Sequence, residues 1–292
     1  MARMDGFFEV RTADALRGPV EVFADKRLPF EPEGWLRDLR SCLRLSLGSL
    51  KAERNQLLYA TYSSADAGRA DAENILFYNV GTSCFKGASR FGLLFERRFE
   101  APPRAPSGKA RGHYYRYSLM EQAANAEFWE SGPAFVAWES ALSVLNDPCI
   151  VWYEVRSHLI GSAVVGVPFH GPFGLDIELR VKGQPHMNLA SLVKPLLDGI
   201  ISALHSYEGP PPMRVVERLA QRLQSGEEDI FRFLAGKAAA VLGERRLVVA
   251  RGDGVQWNPA DDRCHVCRLR VVTGAHEQAA KVAAFRLARL VE

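Results

Sequence analysis

The sequence lacks any long apolar run. No stretch of its 292 residues approaches the roughly 20 apolar residues that a membrane-spanning helix needs, so no membrane span is expected. The opening stretch, MARMDGFFEVRTADALRG, has no apolar core of the kind a secretory signal carries, which makes a cytoplasmic protein the expectation. Cysteine is scarce. The five residues Cys42, Cys84, Cys149, Cys264 and Cys267 are an odd, scattered set, which suits reduced thiols better than a disulfide framework. Cys264 and Cys267 form the one close pair, with His265 between them, but no second ligand pair stands at zinc-site spacing. CHVCRLRVV alternates like a strand, and small apolar cysteines fill strands well. No internal repeat stands out. Charge of one sign is lacking too: 37 Lys and Arg against 34 Asp and Glu give a net charge of +3, which permits nucleic acid as a partner without demanding it.

What is present is ordinary globular composition, 47% hydrophobic and 24% charged, with ample chain to bury a core in one large or two modest domains. Asn146-Asp147-Pro148 is the best candidate boundary, dividing an N-terminal α+β segment of unassigned role, 1–146, from 147–292. In the first segment FFEVRT and PVEVFA read as strands. A helix is expected over 32–53, where Leu36, Leu39, Leu43, Leu47 and Leu50 recur at helical spacing. Polar turn residues fill 63–74; ILFYNVG and FGLLFERRFE follow as expected strands, 101–112 as a Pro/Gly loop and 119–145 as a second helix.

In the second segment CIVWYEV reads as a strand and FGLDIELRVKG as another, with Leu175, Ile177, Leu179 and Val181 on one face and Asp176, Glu178, Arg180 and Lys182 on the other. The tripeptide Gln184-Pro185-His186 reads as a turn. The helix NLASLVKPLLDGIISALH follows, with one continuous apolar stripe. Two further helices, MRVVERLAQRLQ and EEDIFRFLAGKAAAVLG, make a helical insertion over about 208–246. A strand RRLVVARG, a strand in NPADDRCHVCRLRVV and a final helix AHEQAAKVAAFRLARLVE complete the reading. The fold class expected is α/β of the α+β kind, a mixed sheet flanked by helices.

Within the apolar helix, Lys194 precedes Pro195 and stands four residues before Asp198, on the same face. Asp261-Asp262 precedes a later alternating strand. Together, KPLLDGI and NPADDRCHVCRLRVV resemble the RusA family of Holliday-junction resolvases, in which a strand runs into an Asp-x-Asp-Asn-x-x-Lys helix start continued by Pro-Leu-Leu-Asp, and a later Asp-Asp opens a strand. The resemblance covers about 150–275. It implies a RusA-like mixed sheet, a homodimer, and magnesium-dependent endodeoxyribonuclease chemistry. In that chemistry carboxylates hold Mg2+ and a lysine offsets charge on the phosphate. Carried over, Lys194, Asp262 and Asp261 are the catalytic candidates, and Asp262, Asp261, Asp198 and Asn188 the metal candidates.

Two departures shape what the resemblance implies. Where the family has Asp-x-Asp-Asn, this chain has Asn188-Leu189-Ala190-Ser191, without either acid. Asp176 and Glu178 offer themselves as substitutes. Asp71-Ala72-Glu73-Asn74 echoes the missing motif, but it lies in a turn-forming stretch and is read as turn chemistry. The second departure is spacing: 66 residues separate Lys194 from Asp261, where the family has a short loop. The implied function is therefore a RusA-like nuclease-fold protein that binds DNA or RNA, branched forms included, with a degenerate or rebuilt phosphodiesterase site and binding favoured over cutting. The alternative is a catalytically inactive structural or regulatory module that keeps only the fold.

One further stretch bears on a nucleic-acid partner. Between Arg90 and Arg116 basic residues interleave with Tyr114, Tyr115 and Tyr117. Basic side chains neutralise phosphate and aromatic rings stack on bases. The candidates for contact are Arg97, Arg98, Arg104, Lys109, Arg111, Tyr115 and Arg116.

Overall fold

The structure is a computed structural model that describes residues 3–14, 16, 18–66, 71–161, 168–182, 187–274 and 278–290. The chain forms β1 (Arg3–Asp5), β2 (Phe8–Thr12), β3 (Val20–Ala24), α1 (Trp35–Gly48), β4 (Gln56–Ser63), β5 (Gly92–Arg98), β6 (His113–Glu121) and β7 (Trp129–Ala141). It continues through α2 (Pro148–Gly161), β8 (Phe173–Val181), α3 (Leu189–Ala203), β9 (Ser206–Tyr207), α4 (Met213–Leu223) and α5 (Glu227–Ala235). Then come β10 (Glu244–Arg245), β11 (Val248–Arg251), β12 (Gly254–Trp257), β13 (Cys264–Thr273) and β14 (Ala279–Arg289). Short helical turns occupy Asn74–Tyr78, Thr82–Phe85 and Asp261–Arg263.

Ten strands make one sheet in the order β1-β2-β3-β6-β4-β5-β13-β8-β14-β7. It is mixed: β4 runs parallel to β5 and β13 parallel to β8, while the other neighbours are antiparallel. The architecture is α+β, as the patterning predicts. Asn146-Asp147-Pro148 falls between β7 and α2, and the sheet takes strands from both sides of it: β5 pairs with β13 and β7 with β14. None of the helices among the described residues is long and apolar enough to cross a membrane.

The helical stripes do what their spacing predicts. Leu39, Leu43 and Leu47 of α1 are buried, and so are Leu189, Val193, Leu196, Leu197, Ile200 and Ile201 of α3. They share one hydrophobic core with Leu175, Ile177, Leu179 and Val181 of β8. The period of two then places Asp176, Glu178 and Arg180 on the opposite face of the sheet. There Asp176 pairs with Arg270 at 3.0 Å and Glu178 with Arg180 at 3.3 Å.

Four expectations are corrected. CIVWYEV is not a strand beneath α3 but the body of α2, packed against it. Its start signal is local: Asp147 Oδ1 accepts the Cys149 N–H at 2.9 Å, and Pro148 takes the first helical position, where a missing N–H costs nothing. ILFYNVG is a helical turn over Asn74–Tyr78 rather than a strand. The helix expected over 119–145 is instead the end of β6, a turn and β7. The helix expected from 275 is β14, inserted between β8 and β7 with Ala280, Val282 and Ala284 buried and Lys281 exposed. Alanine-rich sequence favours helix in isolation, but pairing on both sides outweighs that small preference. The expected turn at 184–186 lies outside the described residues.

Two contacts fix the helical layer. At Gly199 a Cβ would fall 2.6 Å from Val151 Cβ and 3.0 Å from the Pro148 carbonyl oxygen, so α2 and α3 can approach this closely only at a glycine. Arg156 of α2 is fully buried without a carboxylate partner. Its guanidinium donates to the carbonyls of Phe233 at 2.9 Å, Ala203 at 2.8 Å and Gly236, joining the C-terminal ends of α3 and α5. Burial pushes its pKa down to about 10.

Replacing Gly199 with alanine is expected to overpack the α2–α3 contact and cost about 1–3 kcal/mol. Gly48→Ala, at the end of α1 with open space around it, is the control and is expected to be neutral or stabilising. Thermal melts of both variants check this. Equal melting temperatures for the two would remove the packing argument.

Candidate metal centre

Lys194 is the hub of the site. Its Nζ lies 2.8 Å from Asp261 Oδ2, 2.9 Å from Asp198 Oδ1, 3.1 Å from Glu73 Oε1 and 3.8 Å from Asp71 Oδ2. The helix α3 places Lys194 and Asp198 one turn apart, and the turn Asp261–Arg263 before β13 brings in Asp261. Asp71 and Glu73 arrive from far upstream, at the head of the helical turn Asn74–Tyr78.

Pro195 explains how that upstream segment is held. A proline has no N–H to give, so the carbonyl four residues earlier, on Ser191, is left without its helical partner. The Tyr78 hydroxyl donates to that carbonyl at 2.9 Å. Further along, Ser89 Oγ accepts the Ala190 N–H at 3.3 Å and donates to Asn188 Oδ1 at 3.0 Å, while Asn188 Nδ2 donates to the Thr82 carbonyl at 2.8 Å. The segment 71–89 is thus stitched along the first turns of α3. Asn74 Nδ2 donates to Asp71 Oδ2 at 2.7 Å and orients that carboxylate.

The structure therefore brings together Lys194, Asp198 and Asp261 as expected. It also puts Asp262 in the same cleft, where its Oδ1 is buried without a hydrogen bond and stands 3.9 Å from Arg245 Nη1. Asn188 is a correction to the metal candidates: both ends of its amide are engaged in tying down α3. Asp176 and Glu178 are a second correction, since they lie on the far face of the sheet. Reading Asp71-Ala72-Glu73-Asn74 as turn chemistry is a third. Those residues bring two acids to Lys194 beside Asp261, and the signal was the Asp-x-Glu-Asn order itself.

Asp71, Glu73 and Asp261 each offer a carboxylate oxygen, and these oxygens lie within 4.8 Å of one another, an arrangement that can hold a metal ion. Glu73 is the most informative of the three. It is fully buried, and among the described residues no other residue donates a well-formed hydrogen bond to its carboxylate; Oε1 has the ion-pair contact with Lys194. A buried carboxylate of this kind is costly unless something positive completes it. Burial pushes its pKa up to about 8, with Asp261 and Asp71 adding to the rise and Lys194 opposing it. Burial and the neighbouring Asp261 likewise lift Asp71 to about 6. For Lys194 burial works against the charge, but Glu73, Asp261 and Asp198 outweigh it and hold the ammonium well above its usual range.

Asp71, Asp198, Asp261 and Asp262, but not the buried Glu73, line an open, polar cleft of about 840 Å³ together with Arg245, Gln256, Trp257, Asn258 and Arg263. By contrast, the strand portions of the stretch 90–116 are largely internal, while most of 101–110 is exposed. Tyr115 is fully buried, its hydroxyl accepting the Leu28 N–H at 2.9 Å, and Tyr114 and Tyr117 are buried as well. These rings cannot stack on bases, which corrects the role expected of Tyr115. Arg97 is buried with its guanidinium 4.6 Å from the centre of the Phe99 ring. Arg98 is paired with Glu96 and Glu127, Arg111 with Asp25 and Glu9, and Arg116 with Glu127. Arg104 and Lys109 are the two of the seven that are exposed. Cys264 and Cys267 lie in the core, where burial raises both thiols far above their usual pKa.

No known protein family matches this chain, no curated protein is significantly similar to it, and no solved structure matches it. The geometry of the site is therefore what the functional reading rests on.

The burial of Glu73 has a consequence for stability. Its folded pKa lies above its ordinary value of 4.5, so the folded state holds an extra proton between about pH 4.5 and 8. The stability tied to that proton is present at low pH and lost as pH rises through the folded pKa. In metal-free buffer Glu73→Gln is expected to raise the melting temperature at pH 8 by several degrees, the gain shrinking to nothing as the pH approaches 4.5. Melts across this range check it; a variant less stable than the wild type at pH 8 would contradict the strained burial of Glu73.

Proposed function

We propose that the protein is a divalent-metal-dependent phosphodiesterase acting on DNA or RNA. The observation that carries this is the buried, incompletely partnered Glu73 converging with Asp71 and Asp261 beside the Lys194 ammonium. An all-oxygen, carboxylate-rich set suits a hard cation, Mg2+ or Mn2+, rather than zinc. Asp71, Glu73 and Asp261 would hold it, with Asp262 next in line. When bound, such an ion polarises a phosphoryl oxygen and makes a neighbouring water a stronger nucleophile.

The chain's own residues account for the rest. Lys194 stays protonated because three carboxylates face it, so it can offset charge that builds on a phosphate in the transition state. Asp198, bonded to Lys194 at 2.9 Å, keeps that ammonium aimed at the acids. Arg245 and Arg263 add positive charge to the same cleft, beside Asp262, where the phosphates of a polymer would lie. The polar walls around Lys194 favour this reading over a protein-interaction module, which would present an apolar patch there. Because Asp71 and Glu73 stand in for the acids missing at 188 and 190, the reason to expect binding without cleavage falls away.

Calorimetric titration with Mg2+ and Mn2+, together with cleavage assays on labelled single-stranded, duplex and branched oligonucleotides, tests the proposal. Asp261→Asn and Glu73→Gln are expected to lose metal binding and to lower cleavage by about 100-fold or more, since few hard ligands would remain. Asn188→Asp should leave metal binding unchanged. Ala190→Asp should destabilise the fold, because Ala190 is fully buried against its neighbours. A wild-type protein that binds neither ion at millimolar concentration would overturn the proposal in favour of the interaction module.

A further inference from the structure

The cleft lined by the acids also carries an aromatic ring and two guanidinium groups. Trp257 ends β12 and lines the cleft together with Arg245, Gln256, Asn258 and Arg263. Its indole is fixed from behind. The ring of the fully buried Trp152 lies 5.3 Å away, centre to centre, tilted by 42°. Its Nε1–H donates to Cys149 Sγ at 3.4 Å. The polar atom of the indole is therefore committed to the interior, while the residue as a whole stays partly exposed. With Nε1 engaged, the indole offers the cleft no free donor. Trp257 thus packs against the core and also lines a largely polar cleft.

Its neighbours are suited to a phosphate. Arg245 is one-third exposed, at 34%, and its nearest carboxylate, Asp262, is 3.9 Å away, a loose contact. Arg263 is braced by two carbonyls, Phe169 at 3.2 Å and Leu242 at 3.3 Å, rather than by a carboxylate. Both guanidinium groups thus keep charge that the protein itself has not neutralised at close range. Gln256 and Asn258 flank the ring and are exposed.

We infer that the substrate is single-stranded nucleic acid, with one unpaired base stacked on Trp257 and an adjoining phosphate against Arg245 while the strand crosses the acidic cluster. A ring fixed edge-inward by Cys149 accepts any base from its open side, and stacking of this kind does not depend on sequence. A base inside a duplex is already stacked on both faces and cannot offer itself. The inference rests on the phosphodiesterase reading of the same cleft and names its substrate.

The experiment measures binding of fluorescein-labelled DNA and RNA strands, and of the matching DNA duplex, to wild type, Trp257→Phe and Trp257→Ala. Melting curves confirm folding, and Mn2+ titration reports on the acidic cluster separately. Trp257→Ala is expected to weaken single-strand binding by about tenfold or more, the size of one lost base–aromatic stack, and Trp257→Phe to keep most of it. Unlabelled strands should quench the tryptophan emission of the wild type and not that of Trp257→Phe, a readout that stands even where the alanine variant fails to fold. Mn2+ binding should be the same in wild type and Trp257→Phe. If DNA and RNA strands both bind, the shared base and phosphate chemistry is sufficient; a preference for one identifies which polymer is used. A duplex bound as tightly as a strand, or strand binding and quenching unchanged in Trp257→Phe and Trp257→Ala, would overturn the inference while intact Mn2+ binding left the metal centre standing. Loss of Mn2+ binding in the wild type would count against the metal centre instead.

Discussion

One ammonium group holds this site together. Four carboxylates from three distant parts of the chain, Asp71 and Glu73, Asp198, and Asp261, would repel one another if gathered without a counter-charge. Lys194 lies within 3.8 Å of an oxygen on each of them. Even so it cannot neutralise them all, and the cluster retains an excess of negative charge. Burial first, and that excess second, raise the pKa values of Glu73 and Asp71: without a further cation, a proton fills the deficit. Burial and repulsion that weaken the fold are the same features that would let the cluster hold a metal ion, because metal binding displaces protons from its ligands.

Much of the framework could be read from the sequence. The leucine spacing of α1, the apolar stripe of α3 and the alternation in β8 and β13 each reflect a single buried face, and local patterning reports that faithfully. It failed where the tertiary surroundings override local preference. The alanine-rich β14 is a strand because it has partners on both edges. CIVWYEV is helical although its apolar run has little periodicity, since α2 is buried on several sides. There the Asp147-Pro148 start was the better guide.

The candidate site was legible in part. Lys194, Asp198 and Asp261 were identifiable because two are four residues apart and the third precedes a strand in a pattern resembling a known family. Asp71 and Glu73 were visible as an Asp-x-Glu-Asn string and set aside, because nothing local links residue 71 to residue 194. The link is tertiary: a proline strips Ser191 of its helical partner, and Tyr78 supplies another. An acidic motif and its lysine need not be contiguous so long as some contact delivers one to the other. The basic, tyrosine-rich stretch misled for the opposite reason. Composition shows charge and rings, but not whether they face water, and here most of them pair internally or fill the core.

The sheet order carries an implication for how the molecule is made. β14 is the last of the ten strands in the chain, yet it sits between β7 and β8, which are synthesised well before it. During translation β7 must wait for β14, and β8 for both β13 and β14, the situation in which chains are most prone to pair with the wrong neighbour. Asp261, just ahead of β13, emerges almost as late. The acidic cluster therefore lacks one of its three convergent carboxylates until residue 261 has been made, and a chain interrupted before that point would carry Lys194 and its first three acids without the residue that closes the set.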